Sequence, residues 1–295
     1  MEAIEDFIFV MRDRIETLIA NGKWDEAKVS AESTLETFTE KYEQDSSHVG
    51  DYCRALEIRA NLYRDQGEIE EAERLYTKIV ELLRYTPGFP GVCGRVGANL
   101  AMIYEDKELL DEARSFYLWS LENLEITDPP LQVEMAGVLN NLAYLYETEH
   151  FLDKAEELFL RALSINKAEL GKEHEATADV YNNLGGLYYR SENYGQALEM
   201  HKMALSIRKD ALGKKHLDTA QSYGNIALIY AELEKIEIAK ESFDSALKIM
   251  EKSDHPDVHH YAIVSANFSH VLKEQGHLKD AEKIAKRTSK FLKKQ

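Results

Sequence analysis

The sequence predicts an all-α protein, a right-handed α-solenoid of about seven helix-turn-helix repeats. Three observations carry this. An alanine recurs at Ala27, Ala72, Ala113, Ala155, Ala197, Ala239 and Ala281, settling to an interval of 42 residues. Around each alanine the apolar residues fall three and four apart, the spacing of one buried helix stripe. The composition is 44% hydrophobic and 30% charged with only 5 Pro, which suits a folded, helix-rich chain. A period of this length means stacked supersecondary units, because one hairpin cannot bury its own apolar face.

The repeats run at about 1–45, 46–88, 89–128, 129–172, 173–214, 215–254 and 255–295, read together as a single domain. In the first, Gly22 and Trp24 precede the anchor Ala27, so a turn separates two helices. In the second, Ala60 stands twelve before the anchor, Tyr63 nine before, Gly67 five before, and Tyr76 four after. Small residues at the anchor and at minus 12 let two helices approach closely, and larger ones at minus 9, minus 3 and plus 4 fill the space around them. The minus 9 tyrosines (Tyr63, Tyr104, Tyr146, Tyr188, Tyr230) are therefore expected in the core.

The third repeat follows "YTPGFPGVCGRVG" (85–97), whose two prolines and four glycines predict a looped or bent junction, a slightly irregular loop or a hinge. In the fourth, Pro129 and Pro130 end one helix and lead into the next. The fourth and fifth repeats carry nearly one phrase, "VLNNLAYLYETEHFLDKAEELFLRAL" (138–163) and "VYNNLGGLYYRSENYGQALEMHKMAL" (180–205). Each ends in a longer second helix, "ALSINKAELGKEH" (162–174) and "ALSIRKDALGKKH" (204–216). The seventh opens with "DHPDV" (254–258), three residues early, which shortens the preceding helix and lengthens the next. Its last helix gathers Lys283, Lys286, Arg287, Lys290, Lys293 and Lys294, read as a polar cap or as a docking patch for an acidic partner or anionic membrane surface.

A small residue at minus 12, Tyr at minus 9, Gly at minus 5, Ala at the anchor and an aromatic at plus 4 resemble the tetratricopeptide repeat. With "NNLAYLY" and the extended second helices, the 42-residue unit resembles the repeats of kinesin light chains. The sequence shows no heptad coiled coil ahead of the repeats, so the resemblance implies the repeat type rather than a motor subunit.

The resemblance implies a concave wall built by the first helix of each hairpin, with position minus 14 facing it. Asn99, Asn141, Asn183, Asn225 and Asn267 occupy that position, flanked by Asn140 and Asn182; the second repeat has Ile58. An amide carries both donor and acceptor and can grip a peptide backbone whatever its side chains. The same amides could instead bond a neighbouring helix and set the stacking. Arg54 and Arg95 at minus 18, Tyr144 at minus 11 and Arg190 at minus 7 complete the candidate set. The same face also carries Met102, Leu228, Ile263, Gly137 and Gly186, a mixed wall of apolar footholds and scattered charges. The Lys/Asn/Asn/Lys/Arg set with which related co-chaperones hold a C-terminal carboxylate is not supplied by three consecutive repeats.

A net charge of −17 argues against sequence-independent nucleic-acid binding. The two cysteines, Cys53 and Cys93, form no disulfide framework or zinc motif, and the N-terminus lacks the marks of a secretory signal. A cytoplasmic protein is expected, with no membrane span. No phosphate loop, G-x-S-x-G elbow or CxxC occurs, and His255, His259 and His260 lack an in-phase carboxylate or cysteine. The expectation is an interaction scaffold that binds an extended or helical segment of another protein in the concave groove, with no catalytic site, metal or cofactor; the alternatives are a peptide-sensing regulatory protein and an enzyme with an unrecognised site, and the oligomeric state is not read from the sequence.

Overall fold

The computed structural model describes residues 2–253 and 255–293, with side chains described from residue 7 onward. Asp254 and Lys294 lie outside the described residues. Fourteen α-helices and no strand occur among the described residues. They are α1 (Glu2–Ala20), α2 (Trp24–Gln44), α3 (Val49–Asp65), α4 (Ile69–Leu83), α5 (Pro90–Asp106), α6 (Leu110–Glu125) and α7 (Gln132–Thr148). Then follow α8 (Leu152–Glu169), α9 (Glu175–Arg190), α10 (Tyr194–Ala211), α11 (Leu217–Glu232), α12 (Ile236–Met250), α13 (Val258–Glu274) and α14 (Leu278–Leu292). Odd-numbered helices are the first of each hairpin and even-numbered helices the second. This is the all-α, α-solenoid class of fold that the repeat predicts. Chain contacts divide it into two units, Met1–Leu145 and Tyr146–Gln295, described separately below.

The repeat acts through its turns. The residue at minus 3 (Trp24, Ile69, Leu110, Leu152, Tyr194, Ile236, Leu278) is the first residue of every second helix. Each anchor alanine lies one turn further in and is sealed from solvent, as close helix contact requires. The residue at minus 5 takes a left-handed backbone in all seven turns: Gly22, Gly67, Glu108, His150, Glu192, Glu234 and Gly276. Its N–H closes a bond three residues back, and the next N–H reaches the carbonyl of the minus 9 residue, as in Lys23 to Leu18, Glu68 to Tyr63 and Asn193 to Tyr188. That pair is the Schellman turn, which satisfies carbonyls a helix end leaves open.

The minus 9 tyrosines are not all core, as had been expected. Tyr188 is buried, while Tyr63, Tyr104, Tyr146 and Tyr230 are half-buried. Their rings stand beside a turn with solvent on one side, and what repeats there is the backbone carbonyl. The large side chains at plus 4, Tyr76, Tyr117, Phe159 and Phe243, are sealed, as are Phe38 and Tyr261.

The junction at 85–97 also differs from expectation. Only residues 84–89 leave the helical path; α5 starts at Pro90, a proline-tolerant first position, and runs through three of the four glycines. The reason is packing. A Cβ at Gly94 would stand 2.5 Å from Leu124 of α6, and one at Gly97 would stand 2.8 Å from the Trp119 ring. These glycines permit close approach inside a helix; low helix propensity loses to contact.

In the first unit, Ile8, Ile15, Phe38, Ile58 and Leu62 form one core cluster, and Tyr52, Leu56, Tyr76, Ile79, Val96 and Leu100 another. The chain leaves α6 through Thr127, whose hydroxyl donates to the Leu124 carbonyl and accepts from Leu131 N–H, with a cis bond at Asp128–Pro129.

In the second unit the two long repeats share one junction chemistry. Gly171 and Gly213 take a left-handed backbone after the second helix. His174 and His216 then cap the next helix, each accepting a backbone N–H at Nδ1. Thr177 and Thr219, three residues on, donate to the carbonyls of Gly171 and Gly213. In the seventh repeat Asp257 caps instead, accepting from His260 N–H. The early start shortens α12 to 15 residues against 18 in α8 and α10, and lengthens α13 to 17 against 16 in α9 and α11.

Candidate functional site

The amides at minus 14 sit on first helices, one position from the buried stripe, so each is half-buried: Asn99, Asn141, Asn183, Asn225 and Asn267. Asn140 and Asn182 are half-buried beside them. The second repeat's Ile58, in the same place, is buried in the core cluster.

In the first unit Asn99 of α5 donates from Nδ2 to Asn61 Oδ1 of α3 at 3.2 Å. Asn61 Oδ1 also accepts from Tyr76 OH at 2.6 Å, and Asn99 Oδ1 accepts from Arg64 at 2.6 Å. Tyr117, the plus 4 residue of α6, donates to Glu105 at 2.8 Å and lies in hydrogen-bond contact with Asn141. Burial raises the Tyr117 phenol and the Glu105 carboxyl above their ordinary ranges. Asn140 donates to Asn141 across 3.4 Å. In the second unit Asn225 of α11 donates from Nδ2 to Asn182 Oδ1 of α9 at 3.0 Å.

Asn99 and Asn225 therefore bond an amide on the preceding first helix, and Asn141 meets Tyr117. That links them to stacking, while their half-exposed edges keep further donor and acceptor capacity for a ligand.

The candidate cations have partners within the chain. Arg54 donates to Asp51 at 2.9 Å on α3. Arg95 grips Glu57 with two bonds, 2.6 and 2.9 Å. Burial alone would lower the Arg95 guanidinium, but the bonds and charge of Glu57 lift it above its ordinary value. Glu57 is only 2% exposed, with Arg12 at 3.6 Å on its other side. Arg190 approaches the buried Glu147 at 3.3 Å, and burial raises the Glu147 carboxyl. Tyr144 is 45% exposed on α7.

Apolar groups in phase with the amides remain open. Met102 is 41% exposed and Ile263 46%. A Cβ at Gly137 or Gly186 would meet nothing within 4 Å.

Three features were not foreseen. His201 takes the plus 4 place of an aromatic; it is buried, and its Nδ1 has no hydrogen-bond partner among the described residues. Burial, helped by the charge of Arg208, lowers the imidazole to about 4. Arg208 is itself buried, bonding Asp179 (2.9 Å), Gln221, Ser222 and the Asp218 carbonyl. Arg287 of the basic last helix pairs with Asp244 and Glu251 rather than standing open. The phase of the repeat flags plus 4 as a packing position, so the histidine there was visible as a departure; the partners of the arginines were not.

No group of three metal-ligating side chains forms among the described residues, and no helix there is long and apolar enough to cross a membrane.

A tetratricopeptide repeat model matches residues 134–210, 178–252 and 218–294, and another matches 50–90. No curated protein matches the chain. Among solved structures, the apo form of RapI is similar over 98% of this chain and 77% of that one, with TM-score 0.74 and 20% identity. BtubC (BKLC) from P. vanneervenii is similar over 79% of this chain and 94% of that one, with TM-score 0.65 and 25% identity. A putative kinesin light chain of Podosopora anserina, with nearly identical TPR-like repeats, is similar over 68% of this chain and 96% of that one, with TM-score 0.56 and 18% identity. These solved structures share the repeat fold with this chain.

Proposed function

Because the chain belongs to the tetratricopeptide repeat family, we propose that it is an interaction scaffold whose first-helix face holds an extended or helical segment of another protein. One observation carries this reading. Along the first helices the apolar stripe is buried, yet the positions in phase with the amides stay open, as at Met102, Tyr144 and Ile263, or empty, as at Gly137 and Gly186. Side chains that stay exposed beside half-satisfied amides offer apolar footholds next to backbone-binding groups. The arginines at minus 18 and minus 7 are engaged by Asp51, Glu57 and Glu147, so recognition falls to the amides and footholds. The reading assigns no catalytic step and no cofactor, and places the protein in the cytoplasm.

Selection of peptides from a random display library on the immobilised chain tests it. Peptides should be enriched, and Asn141→Ala with Asn183→Ala should weaken their binding while leaving the thermal melt nearly unchanged. A library that yields no peptide overturns the reading. A collapsed melt assigns those two amides to stacking. A second reading of the same face is a peptide-sensing regulator that changes superhelical pitch on binding a short signalling peptide. A change in radius of gyration on adding the selected peptide separates it from a scaffold.

A further inference from the structure

The second unit holds an open helix seat beside α13 and α14, apart from the amide face. In that unit each hairpin receives the first helix of the next. α11 bonds α9 through Asn225 and α10 through Arg208. α13 closes on α11, where a Cβ at Gly224 would stand 3.5 Å from Val264, and on α12, where Phe268 stacks on Phe243 at 4.8 Å. The corresponding seat between α13 and α14 is a groove of about 490 Å³, and no helix of the described residues occupies it.

The sequence hollows this groove. Minus 16, plus 4 and plus 8 are Tyr223, Phe243 and Leu247 in the sixth repeat but Ser265, Ala285 and Ser289 in the seventh. All three small residues line the groove. The bulk that the sixth repeat supplies from within is left here for a side chain from outside, and the lining atoms lack contacts on that side.

One polar group also lacks a partner. Ser265 is 2% exposed. Its hydroxyl lies near the Tyr261 phenol, but that phenol donates to Glu251 at 2.8 Å, and Ser265 Oγ makes no hydrogen bond among the described residues. A buried hydroxyl left unpaired is costly, and a guest that supplies the partner removes the penalty.

Charge sets the sign of the guest. Among the described residues Lys293 is the one charged member of the lining. α14 also exposes Lys279, Lys286 and Lys290. Of its carboxylates, Asp280 is held by Lys283, leaving Glu282 against these lysines. On α13, Lys273 is exposed while Glu274 pairs with His270 at 3.3 Å. A second copy of this chain does not meet these terms. At the phase of Phe268 and Val271 its α1 carries Arg14 and Thr17, a cation and a hydroxyl where the seat takes apolar bulk.

We propose that this groove docks an acidic amphipathic helix of another protein. An aromatic side chain of that helix fills the space over Ala285 and Ser289, a hydroxyl on its ring reaches Ser265, and carboxylates on its flank meet Lys286 and Lys293.

Capped alanine-based helical peptides of the length of α13, 17 residues, decide it. The first has Tyr, Leu, Tyr and Leu at the spacing of Tyr261, Val264, Phe268 and Val271, with glutamates on its other face. The second has lysines in place of the glutamates, and the third has phenylalanines in place of the tyrosines. Anisotropy of a fluorescein label, read on titrating the full chain, reports binding. The first peptide should bind about tenfold tighter than the lysine peptide, the scale of two exposed ion pairs turned to repulsion. It should bind about threefold tighter than the phenylalanine peptide, the scale of one hydrogen bond, and Ser265→Ala should erase that difference. Ala285→Phe, at an exposed position, returns the bulk found in the sixth repeat; it should abolish binding and leave the thermal melt unchanged. No binding of the first peptide, equal binding of either of the others, or insensitivity to Ala285→Phe would each overturn the proposal. So would self-association of the chain that Ala285→Phe removes, which gives the groove to a second copy. Displacement of the peptide by phosphatidylserine vesicles would overturn it too, by giving the lysines to a membrane.

Discussion

Gly185 of α9 and His201 of α10 share one space: a Cβ on the glycine would stand 2.6 Å from the imidazole. In the other repeats from the second onward the minus 12 position is alanine or serine, and the plus 4 position is an aromatic in four of the seven repeats. In the fifth repeat both depart together, and each departure makes room for the other. Gly185→Ala should destabilise the protein by about 1–3 kcal/mol, the usual cost of overpacking a filled core. In a His201→Ala background the same change should be close to neutral. Urea unfolding of the four variants gives the coupling directly; additive effects would show that the two side chains do not contend for one site.

His201 also makes stability depend on pH. Its imidazole is held near 4 in the folded chain, first by burial and then by the charge of Arg208, against an ordinary value of 6.5. Between these values the unfolded chain binds a proton that the folded chain refuses. Stability is therefore complete above 6.5 and falls as pH drops toward 4. The full difference is about 3 kcal/mol at 1.36 kcal/mol per pH unit. Urea unfolding at pH 6.5 and 4.5 should show this loss in the wild type and a smaller one in His201→Gln. Equal losses would assign the acid sensitivity to other groups.

Arg95 separates a structural arginine from a ligand-binding one. Removing it leaves Glu57 buried with only the longer Arg12 contact. Arg95→Ala should cost about 3 kcal/mol, because an uncompensated buried carboxylate is expensive. Combining it with Glu57→Leu should recover most of the loss. A variant that melts like the wild type would place Arg95 in the binding face instead.

The turns offer a gain. Glu108, His150, Glu192 and Glu234 hold a left-handed backbone that costs a side-chain-bearing residue about 1 kcal/mol. Replacing Glu192 or Glu234 by glycine should raise stability by about 0.5–1 kcal/mol, and Gly67→Ala should lower it by a similar amount. A Cβ at Gly67 meets nothing within 4 Å, so a loss there comes from the backbone alone. Calorimetric melting of the three variants checks the sign.

These residues also show what could be read from the chain alone. The anchor alanines and the minus 3 starts were legible because packing tolerates little variation at a close helix contact. The minus 5 turn was legible only at Gly22, Gly67 and Gly276; the other four turns are imposed by the two hairpins on residues that resist them. Gly94 and Gly97 read as a loop because propensity speaks for the isolated helix, whereas Leu124 and Trp119 decide the outcome from α6. For the candidate face, phase located the amides but not their company. Asn99 binds Arg64 and Asn61, and Asn225 binds Asn182, partners 35 to 43 residues away. Glu57, 38 residues from Arg95, and Arg208, 10 to 29 residues from its partners, were hidden too, since a charged letter does not say whether a partner waits on a neighbouring helix.

In the second unit the residue eleven past the anchor joins each second helix to its successor by a different means. Asn166 gives one amide bond to the Ala176 carbonyl, Arg208 spans three acceptors on α11 and also holds Asp179 of α9, and Met250 is buried and apolar. A directional bond resists shear, whereas an oily contact lets surfaces glide. The seam at Arg208 thus behaves as a rivet, while beside Met250 the riveting comes from the other side, where Tyr261 and Arg287 of the last hairpin reach Glu251 and Asp244. Pulled or bent, this half of the chain is fastened at both seams, by side chains reaching forward at one and backward at the other.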